Sequence, residues 1–297
     1  MGLSKYPSKV HLPLHNPGCG TVLDYLVVKF PYIAESVWRQ RLMDGKVHWL
    51  NGEMINSSTL YRSQQCVCYY REVEKEPVIP FEEHIIFQDE HILVACKPHF
   101  LQVTPGGNYV DECLQSRLRR KTKNDNLQAL HRLDRETAGL VLFSVNPETR
   151  SDYHTLFEHH KITKTYQAVA DIGADAMLCK HWVVKNRMEK SNPRFVMHIV
   201  SGETNAHSVI DCVDDTGNKG LFELSPVTGK THQLRVHMQS IGYPILNDKV
   251  YPILQPKKED DFSKPLQLLA KKLEFVDPIT KDERVFCSDR ELLSVKC

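Results

Sequence analysis

The sequence predicts an α+β protein in two parts, a small module followed by a larger domain. Three observations predict it. Between residues 19 and 71, apolar positions repeat twice at helical spacing and then alternate around an Asn-Gly turn. Residues 72–80 are charged and hold two prolines, as a linker does. From residue 81 onward, short apolar strands alternate with amphipathic helices. A chain of 297 residues that is 41% hydrophobic can bury a core in each part without metal or disulfide staples.

The elements follow in order. Residues 1–18 read as an extended tail with three prolines and no apolar core of signal-peptide type. Thr21 can cap a helix with Asp24 three residues on, and Val22, Leu23, Leu26, Val27 and Phe30 line one face. Pro31 ends it. A second helix over 34–44 sets Trp38 and Leu42 one turn apart, stops at Gly45, and presents Arg39 and Arg41. Residues 46–50 then read as a strand, Asn51-Gly52 as a tight hairpin turn, and 66–71 as a closing strand. In the larger part, 85–87 and 92–96 read as a hairpin, and Val110, Leu114 and Leu118 as a helical face. Strands are expected at 140–144 and 165–170, with a helix over 147–160 between them. No stretch is apolar for long enough to span a membrane. Nine scattered cysteines without framework spacing suit a reducing compartment, the cytoplasm or nucleus. Cys66-Val67-Cys68 reads as an alternating strand rather than a metal or redox pair.

The charge balance is nearly even, 38 Lys and Arg against 37 Asp and Glu, for a net +1. The excess is local. Arg117, Arg119, Arg120, Lys121 and Lys123 fall within seven positions with no acid among them. Such a run is either a solvated helix end, where cations suit the dipole, or a contact for phosphates.

Three stretches can carry chemistry. His131-Arg132-Leu133-Asp134-Arg135-Glu136 sets an aspartate between two arginines directly before an apolar strand. Flanking cations keep a carboxylate ionised, which suits nucleophilic or electrostatic work at a sugar carbon. A structural ion-pair cluster at a turn is the alternative. In the stretch 225–238, Gly229-Lys230-Thr231 looks like the tail of a phosphate-binding loop, but Leu224 stands where that loop needs glycine. Read as a strand, its alternation places Gln233, Arg235 and His237 on one face, with Arg235 able to point into a cleft. No histidine pair here has helical spacing with a third ligand nearby, so no metal is predicted. In the third stretch, Lys164-Thr165-Tyr166, the tyrosine is a core aromatic or a catalytic phenol.

Together HRLDRETAGLVLFS, KTYQAVA and SPVTGKTHQLRVHMQSIGYPILND resemble the RluA-type pseudouridine synthases in order and spacing. IIFQDEHILVACKPHFLQVTPGG resembles that family's opening hairpin and Lys-Pro loop, so the likeness spans about residues 85–275. Residues 19–71 resemble, more loosely, the α-L type RNA-binding module placed before such domains. The resemblance implies a catalytic domain over 81–297 with a long mixed, mostly antiparallel sheet. It implies isomerisation of uridine in ribosomal or transfer RNA to pseudouridine, without cofactor or metal. Asp134 falls on the family's catalytic aspartate, Arg235 on the arginine that pairs with it, and Tyr166 on the tyrosine that stacks on the target base. Arg132 falls on the arginine that helps extrude the base. His131, Arg135, Thr137, Lys230, Thr231, His232, Gln233 and Leu234 then belong to the substrate site, and Arg39, Arg41 and the 117–123 cations to RNA binding. The chain departs from the family pattern at Lys230 (commonly arginine), Ala138 (commonly serine) and Leu269-Ala270, where a histidine is usual. A non-catalytic RNA-binding protein and a sugar-cleaving hydrolase are the rival readings. The hydrolase would need a second carboxylate beside Asp134. The near-zero net charge predicts a shallower salt dependence of RNA binding than a strongly basic protein shows.

Overall fold

The structure, a computed structural model, describes residues 2–3, 5–73, 76–173 and 180–292. It divides into two compact units, Met1–Pro77 with Gly107–Asp111, and Val78–Gly106 with Glu112–Cys297. Glu74 and Lys75 of the expected linker lie outside the described residues.

In the first unit, the Thr21 hydroxyl accepts the Asp24 N–H at 3.1 Å, and the Asp24 carboxylate accepts the Thr21 N–H at 2.8 Å. This reciprocal cap starts the helix Val22–Lys29. The helix Glu35–Met43 buries Trp38 and Leu42, and Trp38 meets Tyr69 edge-on, ring centres 5.3 Å apart. Tyr69 ends Cys66–Tyr69, the middle strand of an antiparallel sheet between Ser8–His11 and Val47–Trp49. Residues 8–11, expected in a tail, are thus a strand of this unit. Asn51-Gly52 does turn the chain, with Gly52 at φ +89 and the Trp49 N–H bonded to the Glu53 carbonyl. The returning arm adds one bridge, His48 to Met54. The long partner of Val47–Trp49 is Cys66–Tyr69, which buries Cys66 and Cys68 as strand residues.

In the second unit, eleven strands among the described residues form one sheet. Its main path runs Met197–Val200, His181–Lys190, Ala206–Thr216, Lys219–Pro226, Thr163–Asp171, Leu268–Val276, Ala138–Ser144, Ile92–Lys97, His84–Gln88. Neighbours pair antiparallel except Leu268–Val276 with Ala138–Ser144, which pair in parallel. This is the mixed, mostly antiparallel sheet expected. Ala138–Ser144 is buried at every position, as a continuous apolar run predicts for a strand covered on both faces. Gly139 has φ +110, and a Cβ there would collide with the Ala270 carbonyl, so only glycine permits this crossing. The loop 131–137 enters this strand, and Tyr166 lies two strands away on Thr163–Asp171.

One expectation is corrected. Residues 233–240 form a helix, Gln233–Ser240, and not a strand. The alternation misled because both classes of residue are buried: Gln233 through Met238 are all inside. Gln233 reaches the Thr228 hydroxyl, the Lys230 N–H, the His207 carbonyl and the Ser208 hydroxyl. A short buried helix whose polar side chains find partners has no face that periodicity can detect. No helix among the described residues is long and apolar enough to cross a membrane.

Candidate active site

The site is built on Asp248. Its side chain is 1% exposed and accepts the Val250 and Tyr251 N–H groups. It also takes the Arg235 guanidinium in a bidentate pair at 2.7 and 2.6 Å. Such a fork-to-fork pair fixes the guanidinium plane as well as its charge. The third nitrogen, Nη1, donates to Asp134 Oδ2 at 3.3 Å. Burial disfavours the charge on Arg235, but the Asp248 bonds, with Asp134 and Glu136 behind them, raise its pKa above the ordinary value. A permanently charged arginine is therefore held against Asp134 by a carboxylate that never meets solvent.

The Asp134 loop is tied from below through its backbone. Lys97 is fully buried, and its ammonium donates to the carbonyls of Pro98, Leu101 and Arg135 at 3.0, 2.6 and 3.0 Å. Burial, against the pull of Glu136 and Asp134, pushes its pKa down to about 7. The His99 ring donates to the Glu136 carbonyl at 2.6 Å, and burial takes its pKa down to about 4. His131 accepts the Leu142 N–H at 3.0 Å and stacks on Phe157. Burial first, then the Lys164 charge, take its pKa down to about 3, so it stays a neutral acceptor.

A cleft of about 630 Å³ opens over this loop, lined by Asp134, Tyr166 and Arg235 with Arg132, Lys164 and Lys230. That size suits a small ligand or one group of a larger one. Burial, then the charge of Asp134, raise the Tyr166 pKa, so the phenol keeps its proton. A carboxylate, a phenol that keeps its proton and cations without an ion pair among the described residues thus line one cleft.

A family profile described as RNA pseudouridylate synthase matches residues 91–240. The chain belongs to the RNA pseudouridylate synthase family. The dual-specificity RNA pseudouridine synthase RluA of Haemophilus influenzae is 31% identical over 220 residues, covering 71% of this chain and 94% of its own. The mitochondrial tRNA pseudouridine(32) synthase of Saccharomyces cerevisiae is 26% identical over 241 residues, covering 77% of this chain and half of its own. Among solved structures, human RNA pseudouridylate synthase domain containing 1 shares the fold, with a TM-score of 0.59 at 20% identity over 73% of this chain and 86% of its own. The reaction of an RluA-type pseudouridine synthase, isomerisation of uridine in RNA, is thus the activity of this protein.

The expected residues of the synthase fall into three groups. Asp134, Tyr166, Arg235, Arg132, Lys230, Thr231, His232 and Leu234 share the cleft. His131, Thr137 and Gln233 also border it, with His131 and Gln233 engaged in internal hydrogen bonds and Thr137 buried. Arg135 is held by a bidentate pair with Asp260 and by Glu136. The cations expected at an RNA surface divide as well. Arg41 is 7% exposed, lies over the Trp38 ring and faces Glu72. Arg117 is held by the carbonyls of Ile79 and Phe81 and by Glu83 and Glu112. These two are internal: Glu72 meets Arg41 from far along the chain, and Arg117 is held between the distant Glu83 and the nearby Glu112. Arg39 pairs with Glu35 on its own helix, Arg119 donates to the Leu127 carbonyl, and Arg120, Lys121 and Lys123 are exposed. Sequence reasoning missed Asp248, Lys97 and Lys164. Lys164 was within reach, being two residues before Tyr166 and so on the same face of one strand.

Proposed function

We propose that the synthase acts on uridines in structured RNA, ribosomal RNA first and transfer RNA second, with Asp134 as its catalytic carboxylate. The observation that carries the assignment is the buried Arg235, bidentate to Asp248 and turned with its remaining nitrogen onto Asp134 at the cleft floor. Asp134 acts at the ribose, as the nucleophile or as the base that starts cleavage. The bond from uracil N1 to the sugar breaks, the ring turns, and C5 bonds to the same sugar carbon. C5 gives up its proton and N1 gains one, so atoms balance without a cofactor. Tyr166, a neutral phenol, stacks on the base. Arg132, exposed at the rim, fills the place of a base drawn out of a helix, a displacement that costs a few kcal/mol. Lys230 and Lys164 serve the phosphates. The helices and sheet of Met1–Pro77 serve as the RNA-binding module. The cytoplasm is the compartment, consistent with seven free thiols among the described residues.

The test is Asp134→Asn. The variant is expected to fold and bind RNA while forming no pseudouridine, read by carbodiimide primer extension. Turnover retained in that variant removes Asp134 from the chemistry. A wild-type protein that binds RNA and leaves every uridine unchanged makes this a binding protein on a synthase fold. Mapping pseudouridines in total RNA with and without the gene separates ribosomal from transfer RNA.

A further inference from the structure

We propose that Tyr251 and His232 are positioning residues that hold Asp134 through a hydrogen-bond relay, an inference that rests on Asp134 being the reacting carboxylate. The Tyr251 hydroxyl, 5% exposed as a residue, accepts the Met197 backbone N–H at 2.8 Å and lies 3.0 Å from His232 Nδ1. A buried phenol proton needs an acceptor. Nδ1 is the acceptor placed within its reach, so Tyr251 donates and Nδ1 accepts. A neutral imidazole that accepts at Nδ1 carries its proton on Nε2. That atom lies 3.7 Å from Asp134 Oδ2.

Three further facts place the ring there for Asp134 rather than for the fold. His232 has φ 54, a left-handed backbone that a non-glycine residue seldom adopts. Its side chain makes no capping bond to the helix it precedes. The charges that act on it are Asp134, Arg235, Asp248 and Glu136, and burial, aided by Arg235 and opposed by the acids, keeps its pKa below the ordinary value. The ring is thus neutral, with a directed N–H.

The contacts from Arg235 and His232 both fall on Oδ2 of Asp134. Oδ1 is left as the oxygen turned to the nucleotide. The gap of 3.7 Å exceeds a hydrogen bond, and a contraction of about 0.5 Å when substrate fills the cleft brings it into range. The relay gives Asp134 a second donor beside Arg235, so that the carboxylate has one orientation instead of a swing about its own axis.

The test uses the full chain. Tyr251→Phe keeps the ring that packs edge-on to His232 and lies under the Arg235 guanidinium, and removes only the hydroxyl. We expect kcat for pseudouridine formation to fall roughly tenfold, with KM for RNA changed less than about twofold. His232→Gln puts an amide N–H where Nε2–H stands and is expected to retain more activity than His232→Asn, which does not reach. Nitrogen-15 NMR of the RNA-free protein reads the tautomer directly: Nε2–H at His232 in the wild type, lost as a single form in Tyr251→Phe. A wild-type Nδ1–H tautomer overturns the proposal. So does an unchanged kcat in Tyr251→Phe, a loss confined to KM, or equal activity of the Gln and Asn variants. The tautomer is read without RNA, so it stands or falls separately from the Asp134→Asn test.

Discussion

The basic run at 117–123 and the cations around the cleft carry the same charges into different surroundings. The run is the densest positive stretch of the sequence. Yet Arg117, its first member, is 13% exposed and closed in by Glu83, Glu112 and two carbonyls. The cleft cations are scattered along the chain, at Arg132, Lys164 and Lys230. Burial alone depresses the Lys164 pKa, with no acid pulling it back up. A cation beside acids strengthens the fold. A cation that lines the cleft with no acid beside it is left to attract phosphate. Charge density along the sequence therefore says less about an RNA site than the acids that the fold brings to each cation.

The sharpest way to break this contrast is at Arg235. Replacing it with Met leaves Asp248 buried without its partner. We expect a loss of stability of about 3–5 kcal/mol in urea unfolding, together with loss of turnover. Stability near the wild type in that variant would mean that Asp248 is not held by this pair. Arg117→Met is the matching change in the run. It is expected to cost about 1–3 kcal/mol of stability and to leave RNA affinity alone, measured by filter binding. A drop in affinity without a drop in stability would return Arg117 to the RNA surface.

A third test sets pH against the loop anchors. The His131 and His99 pKa values lie at about 3 and about 4 in the folded protein, below the ordinary 6.5. Between pH 6.5 and about 4 the unfolded chain binds protons that the folded chain refuses, so stability falls as pH falls through that window. Each histidine is expected to remove up to about 2 kcal/mol between pH 7 and 5. His131→Gln, which keeps an acceptor, should flatten the decline in urea unfolding. An equal decline in the variant would show that His131 titrates normally.

The smallest effects separate the free cations. Lys164→Ala is expected to weaken RNA binding and to lower the slope of log Kd against log salt by about one, with stability unchanged. Lys121→Ala is expected to change either by less than about 0.5 kcal/mol. An equal response of the two lysines would erase the distinction between cleft and run.

Much of the fold was legible in the sequence because it rests on local signals. Thr21 and Asp24 cap each other within one turn, and the apolar run at 140–144 reads as a strand, which the structure extends to Ala138–Ser144 and buries throughout. The helix Gln233–Ser240 was not legible, since its polar residues are buried by partners such as His207 and Ser208. In the site, Asp134, Tyr166 and Arg235 stood out through motif order, and the structure lines one cleft with them. Asp248, Tyr251 and Lys97 did not stand out, because an aspartate, a tyrosine and a lysine are ordinary until their burial is known.

By itself, then, the sequence determined which elements form where spacing and capping act within a few residues, and which residue types are available for chemistry. The tertiary structure alone decided which charges meet. Arg235 and Asp134 are 101 positions apart, and Arg135 and Asp260 are 125. An ion pair depends on distance through space and on the loss of water around it. Neither quantity is written in the spacing of residues along the chain.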